Sequence, residues 1–153
     1  MASRQELTAY NIGYLQQAHE LICSLDDEMY ADPSGGVYNN SVGEHIRHIL
    51  DHYGCFINMK KESVNYDIRE RSPNIENNRK LALTRIKEVQ LALSDESYSS
   101  SDDCKLKVFD LSGKPHEFAV SSIERELQFL ISHTVHHFAI IAMILDVQGF
   151  ILP

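Results

Sequence analysis

The sequence predicts an all-α fold: an antiparallel four-helix bundle with a short β-hairpin before the last helix. Three observations carry this expectation. Apolar residues recur at helical spacing in four separate segments. Cap residues and turn-rich stretches punctuate those segments. One stretch before the fourth segment alternates polar and apolar residues instead, as strands do. The chain has 153 residues, 43% hydrophobic and 24% charged. That is ordinary globular composition, and enough length for one domain, 1–153, with a sizeable core.

The first helix is expected from about Glu6 to Met29. Leu7, Tyr10, Tyr14, Leu15, Ala18, Leu21, Ile22 and Leu25 mark its apolar face. Asp32-Pro33-Ser34-Gly35-Gly36 and Asn39-Asn40 then read as loop. The second helix opens at Ser41-Val42-Gly43-Glu44. There the Ser41 hydroxyl and the Glu44 carboxylate can each satisfy a free backbone N–H. It is expected to reach about Lys61, with Ile46, Ile49, Leu50, Tyr53, Phe56 and Ile57 on one side. Ser72 as cap and Pro73 at the first helical position open the third helix, which runs to about Leu93. It carries Ile75, Leu81, Ala82, Ile86, Val89 and Leu93. Residues 95–104 read as loop. Lys105–Phe109 and His116–Val120 alternate around Asp110-Leu111-Ser112-Gly113-Lys114-Pro115, a hairpin pattern. Ser121 or Ser122 caps the fourth helix, which ends near Val147-Gln148-Gly149.

Charge and cysteines narrow the function. A net charge of −8 argues against a nucleic-acid binder, which needs a basic face. It poses no obstacle to a cation. Met1-Ala2-Ser3-Arg4-Gln5-Glu6 leads straight into an amphipathic pattern, so no signal peptide is expected. The apolar stretch from Phe138 to Leu145 is too short for a bilayer, so no membrane partner is expected either. Cys23, Cys55 and Cys104 are odd in number and form no CxxC pair, which fits a reduced cytoplasmic protein.

The chemistry lies in the histidines. Six of the eight fall in two short helical stretches. His133 and His137 are four apart, so they share one face of the fourth helix, inside an apolar run. Two imidazoles there are costly unless their nitrogens are satisfied, and a divalent metal can do that. His45, His48 and His52 flank the apolar face of the second helix. Helices two and four can thus direct imidazoles into one cleft, as bundles do when they build internal metal sites. Spacing leaves open which of the three is the ligand. His136 falls about a quarter-turn off the His133/His137 line, at about 100° per residue. Isolated histidines are more often surface or hydrogen-bonded core residues than ligands. The pairing of two clusters is what favours a metal.

The segment Ser41-Val42-Gly43-Glu44-His45-Ile46-Arg47-His48-Ile49-Leu50-Asp51-His52, with His133-Thr134-Val135-His136-His137, resembles the DinB/YfiT-like superfamily. Members of that superfamily are bacterial four-helix bundles with one metal-binding histidine on the second helix and two on the fourth. The resemblance extends over essentially the whole chain. It implies His48 as the second-helix ligand, because His48-Ile49-Leu50-Asp51 fits the family pattern of an apolar pair and an acid after the ligand. It implies His133 and His137 as the other two. Where relatives continue with Arg-Gly-Gln, this chain has Phe138-Ala139-Ile140, so a substrate role for that arginine does not carry over.

Three neutral histidines would leave a zinc or nickel ion dicationic with open positions. The resemblance implies metal-assisted thiol transfer or hydrolysis on a small molecule, with a low-molecular-weight thiol as one substrate. Glu126 or Asp51 is the expected base in a hydrolytic version. A first-turn glutamate such as Glu126 more often simply complements the helix dipole. The rival expectation is a non-catalytic stress protein that captures metal or a small ligand. Bundles of this kind often pair, which makes a homodimer a further expectation. Asp67, Arg69, Arg71 and Glu76 form a charged group that could hold an anion or orient ligands. Cys55 is more simply a small buried residue than a soft ligand.

Overall fold

The computed structural model describes residues 2–33, 39–59, 63–67, 72–95, 106–109 and 118–151. Among these the chain is mostly helical, with six helices and three short strands. Helix α1 spans Arg4–Ser24 and opens on a complete capping box between Ser3 and Glu6. Helix α2, Asp27–Ala31, restarts after Leu25 with Asp26 accepting from the Met29 N–H. The single helix expected from Glu6 to Met29 is therefore two. Asp26 offers the backbone a cap, and that competes with continuing the helix.

Helix α3 spans Val42–Ile57. The expected box forms: Glu44 N–H donates to Ser41 Oγ at 3.1 Å, and Ser41 N–H to Glu44 Oε2 at 2.7 Å. The helix stops at Asn58, before the expected Lys61. The third predicted helix is also divided, into α4, Pro73–Glu76, and α5, Arg79–Ser94. Asn78 breaks it by accepting from the Leu81 N–H. Pro73 takes the first position of α4 as expected, but the Ser72 side chain makes no cap bond.

Strands β1, Ser63–Val64, β2, Leu106–Phe109, and β3, Phe118–Ser121, form one small sheet in the order β1-β2-β3. β2 and β3 pair antiparallel, with Val108 opposite Ala119. The expected turn at 110–115 lies outside the described residues. β1 joins β2 in parallel, an element the sequence did not announce: two residues are too few to show alternation. Helix α6, Ile123–Val147, is capped by Ser122, while Ser121 ends β3.

Each of α1 and α3 packs on both α5 and α6, so the four long helices share one core. Leu15, Ile22, Ile46, Ile49, Tyr53, Phe56, Ile86, Leu93, Leu127 and Leu130 are almost completely buried there. Burial of a large apolar side chain of this kind contributes roughly 1.5–3 kcal/mol. Tyr10 and Leu81, expected on apolar faces, are exposed instead. Helix α6 is long and apolar enough, by length and composition alone, to cross a membrane, which the short run Phe138–Leu145 did not suggest. In the fold, that helix packs on α1 and α3.

A buried polar node fixes how three of these helices meet. Asn11 of α1 donates to the carbonyls of Leu7, at 2.8 Å, and of Leu127 on α6, at 3.1 Å. Its Oδ1 accepts from the Tyr53 hydroxyl of α3, at 2.7 Å. Thr134 of α6 donates to the same Tyr53 oxygen. Buried polar groups satisfied in this way pin one register, because sliding a helix by a turn would orphan them all. The register held at Thr134 is also that of its neighbour His133.

Candidate metal centre

The interface of α3 and α6 brings the histidines together. His48 and His133 are partly buried and His137 is buried. His48 Nε2 and His133 Nε2 stand 3.2 Å apart. Ring centroids of His48 and His133 are 5.0 Å apart, and each lies 4.6 Å from that of His137. One nitrogen from each of the three falls within 4.8 Å of the others.

The donor set fits a divalent ion. Two nitrogens bound at about 2.0–2.1 Å in tetrahedral geometry lie about 3.3 Å apart. The 3.2 Å between His48 Nε2 and His133 Nε2 matches that spacing. His133 Nδ1 is buried without a hydrogen-bond partner among the described residues. The His133 and His137 imidazoles are held neutral. Burial first, then the neighbouring histidines, hold His133 down at about 3. Burial first, then His45 and the others, hold His137 at about 4. Neutral imidazole is the form that binds metal.

This has a consequence for the metal-free protein. The unfolded chain protonates these histidines near their ordinary pKa of about 6.5, before the folded chain does. Stability is therefore full above about pH 6.5 and is lost as pH falls toward the folded values. We expect the denaturant midpoint of metal-free protein to drop between pH 7 and pH 4. A His133→Leu, His137→Leu double variant should flatten that dependence; an equally steep profile would contradict the assignment.

The other histidines sort by contact. His52 Nδ1–H donates to the His48 carbonyl at 2.9 Å. Its ring lies over His133 at 3.9 Å and stacks on Tyr66 at 5.5 Å. His45 is buried, with its Nδ1 2.9 Å from His137 Nδ1. His136 is exposed and meets His137 edge-on.

Both carboxylates considered as bases are held by donors. Glu126 is buried. It accepts from Ser121 Oγ at 2.5 Å and from the Tyr66 hydroxyl at 2.9 Å. Tyr66 is pushed well above the usual phenol range, by burial first and then by the Glu126 charge, so it stays a donor. Asp51 is paired with Arg47 at 2.7 Å, and Arg47 also meets Glu76 at 2.5 Å. Glu76 thus belongs to an ion-pair chain between α3 and α4. Asp67 is exposed, while Arg69 and Arg71 lie outside the described residues. Cys55 is partly buried.

Sequence reasoning missed Tyr66. It sits in a polar connection with no periodicity, yet its ring stacks on His52 and lies 5.1 Å from Phe129. The contact of His45 with His137 was also missed, although both residues were in view.

A DinB family model matches residues 1–150. The chain belongs to the DinB family. The match takes in α3 and α6 whole, and with them the three histidines. Searches of curated proteins and of solved structures returned no match. For this DinB-family chain, family membership and the three-histidine group together fit a metal-binding protein.

Proposed function

We propose that this chain is a metal-dependent S-transferase, built on an antiparallel four-helix bundle with a hairpin before its last helix. It would join a low-molecular-weight thiol to an electrophilic small molecule. The observation that carries the reading is the convergence of His48, His133 and His137 within 4.8 Å, with no carboxylate in the set. A zinc or nickel ion held there would supply Lewis acidity, lowering the pKa of a thiol or a water.

The surroundings favour the thiol. A hydrolase gains from a carboxylate free to take a proton from the metal-bound water. Glu126 already accepts two hydroxyl donors, and Asp51 is neutralised by Arg47. A thiolate, once formed, needs no further base to attack carbon. Glu126 instead anchors Tyr66, and Tyr66 and Phe129 together wall the side of the site at His52. The charge of −8 fits a small-molecule partner better than nucleic acid. A cytoplasmic setting and a homodimer are part of the same proposal.

The test is turnover by zinc- or nickel-loaded protein. Panels of small thiols with alkylating electrophiles should give thioether product, and panels of esters and amides should not hydrolyse. His48→Ala should remove the activity. Ester or amide hydrolysis without thiol transfer would overturn the proposal in favour of a hydrolase. Tight metal binding with no turnover in either panel would overturn it in favour of a non-catalytic binder.

A further inference from the structure

His45 touches the three-histidine group without belonging to it. It lies one turn before His48 and is only 8% exposed. It is firmly held: the Ser41–Glu44 box fixes the first turn of α3, and Val42 and Ile46 beside it are buried almost completely. Its Nδ1 stands 2.9 Å from His137 Nδ1.

At that distance one proton lies between the two nitrogens. Two bare lone pairs would repel, and two N–H groups would clash. The proton has two homes. On His45 Nδ1, it leaves His137 Nδ1 as acceptor and puts the remaining His137 proton on Nε2, so neither His137 nitrogen offers a free lone pair. On His137 Nδ1, it leaves His137 Nε2 bare and able to bind a cation. The hydrogen bond that a ligating histidine makes through its second nitrogen generally selects its tautomer and orientation. Carboxylates, carbonyls and waters usually play that part. Here the second nitrogen of His137 meets an imidazole.

Resting on the three-histidine metal reading above, we propose that His45 is the positioning residue for His137. It accepts the His137 Nδ1 proton and so presents His137 Nε2 bare to the ion. His45 then carries its own proton on Nε2. That atom is buried with no partner among the described residues, a cost this arrangement carries.

The experiment uses the full chain, stripped of metal and titrated with zinc(II) and cobalt(II) against a chromophoric chelator. His45→Asn keeps an oxygen near the position of Nδ1, whereas His45→Leu and His45→Gln do not. The Leu and Gln variants should lose roughly 10- to 100-fold in affinity, as loss of a ligand's outer partner typically does. The Asn variant should stay within a few-fold of wild type and keep its cobalt absorption spectrum. Should His45→Leu fail to fold, by circular dichroism, the Asn-against-Gln comparison decides alone. Wild-type affinity in the Leu or Gln variant would overturn the role of His45. An Asn variant as weak as Gln, with a changed cobalt spectrum, would overturn it too, making His45 a fourth ligand. A wild-type chain that takes up neither ion would instead overturn the three-histidine reading itself.

Discussion

Replacing His133 or His137 with leucine should abolish stoichiometric zinc binding and, in the same protein, raise the stability of the metal-free form. The two effects share one cause. Each imidazole is partly or wholly buried at the α3–α6 interface, and burial is the largest influence holding both pKa values down. Without metal, each carries a desolvation cost that hydrogen bonds meet only in part; His133 Nδ1 has no partner among the described residues. An apolar side chain of similar size removes that cost. With metal, the same nitrogens become ligands, and removing one takes away a direct bond. The loss in affinity should exceed the roughly 10- to 100-fold typical of an outer-shell residue. Metal content after purification without a histidine tag, beside the melting temperature of stripped protein, measures both. Full occupancy in His48→Ala, His133→Leu and His137→Leu alike would contradict the site. A stripped variant less stable than stripped wild type would contradict the account of why the cluster is costly.

Much of the helical framework was legible because its signals are local. Ser41-x-x-Glu44 marks a helix start through four adjacent residues, and the box is there. The errors were local too, and they share a form. Asp26 and Asn78 each cap a new helix inside what periodicity read as one. Apolar spacing continues across such a break, since both halves face the same core; the side chain that ends the helix is polar and falls outside the pattern. β1 escaped for the opposite reason, its two residues gaining strand character only from β2.

At the site, the sequence showed which side chains could ligate but not how they would be oriented. His133 and His137 share a face by helical arithmetic, and the structure sets their rings 4.6 Å apart. The choice among His45, His48 and His52 was beyond spacing, because all three flank the same face. Tertiary contacts distinguish them: His48 Nε2 meets His133 Nε2, His45 Nδ1 meets His137 Nδ1, and His52 lays its ring over His133 while its Nδ1 turns back to its own helix. Glu126 shows the same limit. A glutamate in the first turn reads as a dipole complement or a base. Its partners, Ser121 and Tyr66, come from a strand end and a loop that no helical pattern could place beside it.

Gly43→Ala should destabilise the protein by about 2 kcal/mol, although alanine is the better helix former. Gly43 is buried in the first turn of α3, where α4 crosses. A Cβ there would collide with the Glu76 carbonyl oxygen and lie 2.8 Å from Tyr30 Cε1. The nearest obstacle is backbone, so no rotamer change relieves it, and overpacking of this kind costs typically about 1–3 kcal/mol and occasionally more. The gain in helix propensity returns at most about 1 kcal/mol. Moving α4 aside would also strain the Tyr30 hydroxyl bond to the Ile75 carbonyl and the Arg47–Glu76 pair. Gly13 supplies the control. It lies exposed within α1 with nothing within 4 Å of an added Cβ, so Gly13→Ala should stabilise by about 0.5–1 kcal/mol. Urea midpoints at an unchanged slope read both changes. Opposite signs for one substitution at two helical glycines isolate the close approach of α4 as the cause; equal signs would mean that α4 yields freely. Because Arg47 bridges Glu76 to Asp51 on the helix that carries His45 and His48, a shifted α4 should also reach the metal site. Gly43→Ala should then weaken zinc binding several-fold where Gly13→Ala leaves it unchanged.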